Sequence, residues 1–175
     1  MTQSFFDAIA QKFGDAVRAT DCDALDPWIE VSPERFVDIC RFLKDAPAMQ
    51  FDMLNCVTGI DYFHEDPKKA AKAPWEPHIC MTYHLSSTSK KHSIVVKVKL
   101  PRWKDDVEGE IPEIASVSDI WRTADWHERE VYDLTGVRFI GHTDLRRILC
   151  PDDWVGHPLR KDYKFPEEYH GTRCQ

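Results

Sequence analysis

The segment from Asp125 to Tyr163 constrains the fold more than any other part of this chain. It crowds carboxylates, arginines and aromatic rings together with glycine and proline. Four glycines and three prolines fall within the last 40 residues, so long helices and strands are not expected there. The same residues carry too many large apolar side chains for a disordered tail. We therefore expect an arm that is ordered by packing, partly against its own domain and partly against a partner protein.

Composition and charge limit the classes of protein that remain. The 175 residues are 42% hydrophobic and 30% charged, which suits one domain with a core and an appended arm. The formal net charge of −7 argues against a nonspecific nucleic-acid binder, because phosphate affinity requires clustered Lys and Arg. Residues 1–66 carry 5 basic and 13 acidic groups, whereas residues 67–104 carry 9 and 1. This bipolar pattern favours docking against other proteins.

Cysteine usage and hydropathy indicate the compartment. The six cysteines form no CxxC motif, so they are expected to be reduced thiols in a cytosolic environment. The N-terminal residues are neither a secretory signal nor an Arg-rich transit peptide, which favours a cytoplasmic-side location over import into an organelle. No window approaches the roughly 18 apolar residues of a membrane helix. Direct membrane insertion is therefore not expected.

Periodic patterns predict an α+β domain before the arm. Apolar residues at helical spacing predict a helix over 4–18, and Ser32-Pro33 predicts the N-cap of an amphipathic helix that includes Phe36 and Leu43. The β-forming runs, and the exposed loop between the first two of them, are 51–63, 79–85 and 94–100 with the loop at 65–77. The last two runs are expected to form a hairpin. The predicted fold is N-terminal helices on a mixed or antiparallel sheet, followed by a helix and an extended arm, with a domain at 1–135 and the arm at 136–175.

The helix before the arm is predicted over Ser118 to Leu134. On one of its faces Asp125, Arg129 and Asp133 follow one another at intervals of four residues, which predicts a ladder of ion pairs within the helix. Gly136 stands where a helix C-cap commonly has glycine.

Carboxylates and a histidine in this helix invite a catalytic interpretation. His127-Glu128-Arg129-Glu130-Val131 resembles the HExxH zinc motif, but Val131 replaces the second histidine, so a metalloprotease is excluded. His127 lies on the apolar stripe and is expected to be a core or interface histidine. Glu128, Glu130 and Asp133 could supply a general acid and base, yet five nearby arginines favour structural ion pairs. A free-standing hydrolase that uses Glu128 or Glu130 remains a remote alternative.

The basic pairs of the arm suggest contacts in two directions. In an extended backbone adjacent side chains point to opposite faces, so only one of Arg146 and Arg147 can readily reach the helix carboxylates. The other is expected to face a partner. Arg160-Lys161 repeats this arrangement, and a single solvated basic patch is the alternative.

The motif residues of this segment closely resemble a known signature. They are Trp126, Glu128, Arg129, Glu130, Asp133, Gly136, Phe139, His142, Leu145, Arg146, Arg147, Gly156, His157, Pro158, Arg160, Lys161 and Asp162. The pattern resembles the 30 kDa subunit of proton-pumping NADH:quinone oxidoreductase, respiratory complex I. The resemblance extends upstream through Leu54 to Tyr62 and covers roughly residues 30–165.

The resemblance implies a noncatalytic subunit of the hydrophilic arm of this translocase. Such a subunit binds no cofactor and no metal itself, because FMN, the iron–sulfur clusters and quinone are bound by partner subunits. It would dock against the quinone-site (49 kDa-like) subunit through the motif residues and lie peripherally at the cytoplasmic face of the bacterial inner membrane. The isolated chain would be inactive. An equivalent subunit of a membrane-bound nickel–iron hydrogenase or a ferredoxin-dependent relative is the alternative.

Overall fold

The computed structural model describes residues 2–174, which contain helices and strands in mixed order. The helices are α1 (Thr2–Phe13), α2 (Phe36–Asp45), α3 (Pro67–Ala70) and α4 (Ala124–Leu134), with 3-10 turns at Gly14–Ala16, Pro33–Arg35 and Lys104–Asp106. The strands are β1 (Val17–Asp21), β2 (Trp28–Val31), β3 (Met53–Tyr62), β4 (His78–Ser87), β5 (His92–Leu100), β6 (Glu113–Ala115), β7 (Arg138–Ile140), β8 (Glu168–Tyr169) and β9 (Thr172–Arg173). The predicted α+β class is confirmed.

Five strands form one mixed sheet in the order β1-β2-β5-β4-β3. β2 runs parallel to β5, and the other neighbours are antiparallel. The predicted hairpin is confirmed, because β4 pairs with β5 from Ile79 opposite Leu100 to Ser87 opposite His92. Two small sheets lie in the rest of the chain: β6 pairs in parallel with β7, and β8 pairs with β9.

Three helices, α1, α2 and α4, share one hydrophobic core with the sheet, whereas α3 is exposed. On α2 the buried residues recur at helical spacing and include Phe36, Ile39 and Leu43. The Phe36 ring lies 4.6 Å from the buried ring of Tyr83 in β4. α4 packs on β3, and Val131 belongs to the same core.

The predicted first helix is too long, because the chain changes structure after Phe13. Gly14 begins a 3-10 turn, and Val17 already belongs to β1, which pairs with the unpredicted strand β2. These strands have 5 and 4 residues, too few for their alternation to stand out in sequence. Ser32 occupies the predicted N-cap position before Pro33, in the 3-10 turn that leads into α2, but its side chain makes no capping bond and its amide donates to Ala16 O at 2.8 Å.

The helix predicted over Ser118 to Leu134 is α4, and it begins six residues later than expected, at Ala124. Residues 118–123 form turns instead, and their side chains donate hydrogen bonds to β3 and to the residues just before it. Trp121 Nε1 donates to Phe51 O at 2.9 Å, and Thr123 Oγ1 donates to Leu54 O at 3.0 Å. Tertiary hydrogen bonds therefore override the helical pattern there. The predicted domain boundary at Gly136 remains a prediction.

Leu43→Ala tests the core, and Leu25→Ala is its matched control. Leu43 is fully buried whereas Leu25 is 99% exposed. Removing the Leu43 side chain should lower the free energy of unfolding by about 2–5 kcal/mol, because it leaves a cavity. The Leu25 change should stay within about 0.5 kcal/mol. Urea denaturation followed by circular dichroism measures both values, and equal losses would contradict this placement of the core.

Candidate functional site

One buried carboxylate, Asp133 on the last turn of α4, binds residues 148–150 of the arm. Its Oδ2 accepts hydrogen bonds from the backbone amides of Ile148 (3.1 Å), Leu149 (2.8 Å) and Cys150 (2.9 Å). Its Oδ1 accepts a bond of 2.6 Å from Arg147 Nη1. Burial alone would raise the pKa of Asp133, but these donors lower it to about 2. The carboxylate is therefore ionised and fixes three consecutive residues of the arm.

The second group of contacts joins the arm to the C-terminal end of α4. Arg147 Nη2 donates to Gly156 O at 2.9 Å, and His157 Nδ1 donates to Asp133 O at 2.9 Å. Gly136 has a φ of 74°, and a Cβ there would lie 2.4 Å from the His157 ring. Glycine is thus required both for the backbone conformation and for the approach of the imidazole. Burial, aided by the neighbouring arginines, lowers the pKa of His157 below its ordinary value.

Arg160 is buried and binds backbone carbonyls rather than carboxylates. Its guanidinium donates to Thr135 O (2.6 Å), Arg102 O (2.9 Å) and Gly136 O (3.0 Å). Burial lowers the pKa of Arg160 to about 10, which still leaves it charged at neutral pH. A cation at this position is favourable because the carbonyls after α4 have no partner within the helix. The prediction that Arg160 pairs with the helix acids is therefore wrong.

A second ion cluster, in which the sequence singled out Lys161 and Asp162 but not Asp61 and Arg102, fastens the arm to β3. Arg102 donates to Asp61 from Nε (2.8 Å) and Nη2 (2.9 Å), and its Nη2 also lies 2.9 Å from Asp162 Oδ1. The amide of Lys161 donates to Asp61 Oδ2 at 2.9 Å. A carboxylate inside a β-forming run was the available signal for Asp61, because an unpaired charge cannot stay buried there.

Glu128 is buried without an arginine, which corrects the predicted ion pairing. Its carboxylate accepts hydrogen bonds from Ser116 Oγ at 2.5 Å and from the amide of Val117 at 2.8 Å. Burial outweighs these bonds and raises the pKa of Glu128 to about 7. The group ties α4 to the segment after β6, at the edge of the core.

The predicted ladder within α4 does not form, because its members bind outside the helix. His142 Nε2 lies 3.0 Å from Asp125 O and 3.3 Å from Asp125 Oδ1. Arg129 Nε donates to Arg146 O at 3.3 Å, and its Nη1 lies 3.8 Å from Asp144 Oδ2. The helix uses these charges to hold the arm.

The geometry gives no support to a hydrolase at Glu128 or Glu130. Glu128 lies in the core, whereas Glu130 is exposed beside the half-buried His127 at a small cavity of about 180 Å³. The two carboxylates therefore point to different environments and share no cleft. Among the described residues no group of three or more His, Cys, Asp or Glu side chains could hold a metal ion.

The remaining motif residues divide between the interior and the surface. Phe139 lies in the core on β7, Leu145 packs against the core, and Pro158 is half-buried. Gly156 has a φ of 81° and lies under the ring of Tyr163.

The exposed motif residues leave side chains available to a partner. Trp126, Glu130, Arg146 and Lys161 are exposed. As predicted, only one arginine of the Arg146-Arg147 pair reaches a helix carboxylate, since Arg147 binds Asp133 while Arg146 pairs with Asp144 at the surface.

Asp133→Asn should destabilise the protein and loosen the arm. The pKa of Asp133 is depressed, so the stability contributed by its ionised form is complete above about pH 4 and is lost as the pH falls toward 2. The difference between the ordinary value of 3.8 and about 2 corresponds to about 2 kcal/mol at pH 7. Urea denaturation gives the stability, and limited trypsin digestion gives the exposure of the arm. The control is Asp152→Asn, at an exposed residue of the arm. Identical behaviour of both variants would refute the role of Asp133.

Glu128→Gln should change how stability depends on pH. The pKa of Glu128 is raised from 4.5 to about 7, so the wild type loses stability as the pH rises through this window and stays less stable above it. Glutamine does not titrate; its oxygen can accept the bond from the Val117 amide while its NH2 group donates to Ser116 Oγ. The variant should therefore gain about 3 kcal/mol relative to the wild type between pH 4.5 and pH 8. Urea denaturation across this range measures the gain. Glu130→Gln, on the exposed face of the same helix, should show none.

The described residues include no helix long and apolar enough to cross a membrane.

Comparisons with known proteins agree on one family. Residues 29–169 match the family described as "Respiratory-chain NADH dehydrogenase, 30 Kd subunit". The C subunit of NADH-quinone oxidoreductase from Chlorobium phaeobacteroides is 42% identical over 170 residues, covering 96% of this chain and 92% of that protein. The C subunit from Chloroherpeton thalassium is 41% identical over 167 residues. That match covers 94% of this chain and 62% of the relative.

A solved structure supports the fold independently. One chain of the membrane-bound sulfane sulfur reductase, an archaeal respiratory membrane complex, superposes with a TM-score of 0.69. The match covers 93% of this chain and 85% of that chain at 23% identity, so it bears on the fold alone. The family match and the sequence relatives lead to one conclusion: the chain belongs to the family of the 30 kDa subunit of the respiratory-chain NADH dehydrogenase.

Proposed function

We propose that this chain is a noncatalytic structural subunit of the hydrophilic arm of an NADH:quinone oxidoreductase, where it docks against the quinone-site (49 kDa-like) subunit. The observation that carries the proposal is a surface formed by Trp126, Asp144, Arg146 and Leu149, here called the α4–arm surface. Trp126 is 65% exposed, Leu149 is 62% exposed and the Arg146 side chain is 66% exposed. Exposed tryptophan, leucine and arginine above a fixed backbone are typical of an interface.

One buried guanidinium, that of Arg129, contacts three members of the α4–arm surface: Trp126, Asp144 and Arg146. The Arg129 guanidinium lies 5.2 Å from the Trp126 ring centre and donates to Arg146 O. Asp144 binds Arg146 with both carboxylate oxygens at 3.1 Å. Trp126 and Arg146 are therefore held on either side of Arg129. A surface that is already ordered loses less conformational entropy when a partner binds.

The family supports the proposed place of this chain among the subunits of one complex. The relatives are named as the C subunit of NADH-quinone oxidoreductase, which supports a place for this chain in that complex. FMN, the iron–sulfur clusters and quinone would then bind to partner subunits. This chain would contribute to electron transfer and proton translocation by keeping those subunits in position at the cytoplasmic face of the inner membrane. By itself it would be inactive.

Charge reversal on the α4–arm surface tests this function. Arg146→Glu and Trp126→Ala should each weaken binding to the complex by roughly thirtyfold and reduce the amount of chain that co-purifies, since an arginine or tryptophan at the centre of an interface often contributes about 2 kcal/mol. The measurement is mild-detergent extraction of tagged chain from membranes, followed by identification of the proteins that travel with it. Thermal denaturation of the isolated variants should stay close to wild type, because both side chains are exposed.

The matched control is Arg18→Glu in β1, an exposed arginine at the edge of the sheet opposite β3. It should assemble normally. Normal assembly of Arg146→Glu and Trp126→Ala would refute docking through this surface. Absence of any other oxidoreductase subunit beside the wild-type chain would refute the proposed function itself.

A further inference from the structure

A second surface with different chemistry lies further along the arm. A cleft of about 930 Å³ separates the last part of the arm from the loops that follow β3 and β5. Its walls carry the aromatic rings of Phe63, Trp103, Trp154, Tyr163 and Tyr169. None of the residues that form the α4–arm surface lines it.

The inner rings of the cleft already contact cations, and the outer rings do not. The Arg102 guanidinium lies 3.9 Å from the Phe63 ring centre, and the Arg160 guanidinium lies 4.4 Å from that of Trp103. Trp154 and Tyr169 lie 5.0 Å apart, and no Lys or Arg of the described residues 2–174 stacks on either ring. Aromatic faces attract cations, so the outer half of the cleft can accept one.

The charges that line the cleft are predominantly negative. Two permanent cations, Arg160 and Lys164, face five carboxylates: Glu65, Glu108, Asp153, Asp162 and Glu168. Arg160 is buried and uses its guanidinium on three backbone carbonyls. Lys164 lies 3.9 Å from Glu65 with both side chains exposed, which is a weak pair. Asp162 is paired with Arg102, and Asp153 is hydrogen-bonded to Tyr169 and His170. Glu108 and Glu168 are therefore the carboxylates that offer negative charge to an incoming group.

We propose that this cleft receives a basic segment of a partner protein, with an arginine entering between Trp154, Tyr163 and Tyr169. The inference rests on the proposed function, because the segment would belong to another subunit of the complex. Arginine is favoured over lysine because its planar guanidinium stacks on rings and binds carboxylates at the same time.

The chain itself contains the arrangement that the cleft would offer. Arg102 lies against the Phe63 ring while it donates to Asp61 at 2.8 Å and to Asp162 at 2.9 Å. Ring and carboxylates together hold a guanidinium at the inner end of the cleft. At the outer end Glu108 and Glu168 are exposed and form no ion pair within residues 2–174. They are available to a cation from outside.

The shape of the surroundings favours a chain segment over a small ligand. Val155, which lines the cleft, is 86% exposed, and Phe165 beside it is 55% exposed. The Phe165 ring lies 5.0 Å from that of Tyr163, so the apolar surface continues past the mouth of the cleft. A small ligand would leave this surface uncovered, whereas an extended segment would cover it.

A photo-crosslinker at position 155 tests the occupant of the cleft. The chain with Val155→p-benzoylphenylalanine is produced in cells, irradiated in native membranes and extracted in mild detergent, and the cross-linked peptides are identified by mass spectrometry. We expect cross-links to a segment of another subunit that contains arginine or lysine. The double variant Glu108→Lys/Glu168→Lys should reduce this product on the order of tenfold at low salt. The matched double variant Asp26→Lys/Glu34→Lys, on exposed residues outside the cleft, should leave it unchanged.

The outcomes separate this inference from the proposed function. Co-purification with the complex together with cross-links only to an acidic segment, a lipid, a small molecule or nothing would overturn the inference alone. The same holds if charge reversal at Glu108 and Glu168 leaves the cross-link unchanged. Loss of co-purification for the wild-type chain would overturn both proposals.

Discussion

The arm is held in position because one carboxylate oxygen of Asp133 accepts hydrogen bonds from three consecutive backbone amides. A buried amide without a partner costs about 1–3 kcal/mol, so residues 148–150 have one favourable position relative to α4. Arg147 neutralises the carboxylate and reaches across to Gly156 O, which brings the next turn of the arm under the helix. The contacts made by later residues of the arm depend on this position of residues 148–150 relative to α4.

The end of α4 and the arm stabilise each other through an exchange of donors and acceptors. The last carbonyls of a helix have no partner within it and carry partial negative charge. His157 and Arg160 supply donors to the carbonyls of Asp133, Thr135 and Gly136. The arm thus caps the helix, while the helix orders an arm that has little regular structure of its own. Neither segment would keep this conformation alone.

Sequence predicted the parts of this arrangement that depend on one period or one charge pair. The β4–β5 hairpin and α2 were predicted from local patterns, and one arginine of the Arg146-Arg147 pair reaches a helix carboxylate, as the alternation of an extended backbone suggested. β6 and β7 have three residues each and pair across a helix, so no local pattern marks them. The ion pairs predicted for Arg160 and Glu128 were wrong. Arg160 binds backbone carbonyls and Glu128 binds the Ser116 hydroxyl, and the sequence shows charge but not where such groups lie.

Backbone-directed bonds also explain why the arm presents so many apolar side chains to solvent. Asp133 and Asp61 bind main-chain amides of the arm, and the polar side chain of Arg160 binds a carbonyl at the end of α4, so the apolar side chains of the arm are not needed to fix it. Leu149, Val155, Leu159 and Phe165 are consequently free to lie exposed. A monomer gains nothing from such exposure, since burying these groups would release about 25 cal/mol for each Å². A subunit whose arm is already ordered keeps most of that gain for the contact with its neighbour, because little conformational entropy is left to lose.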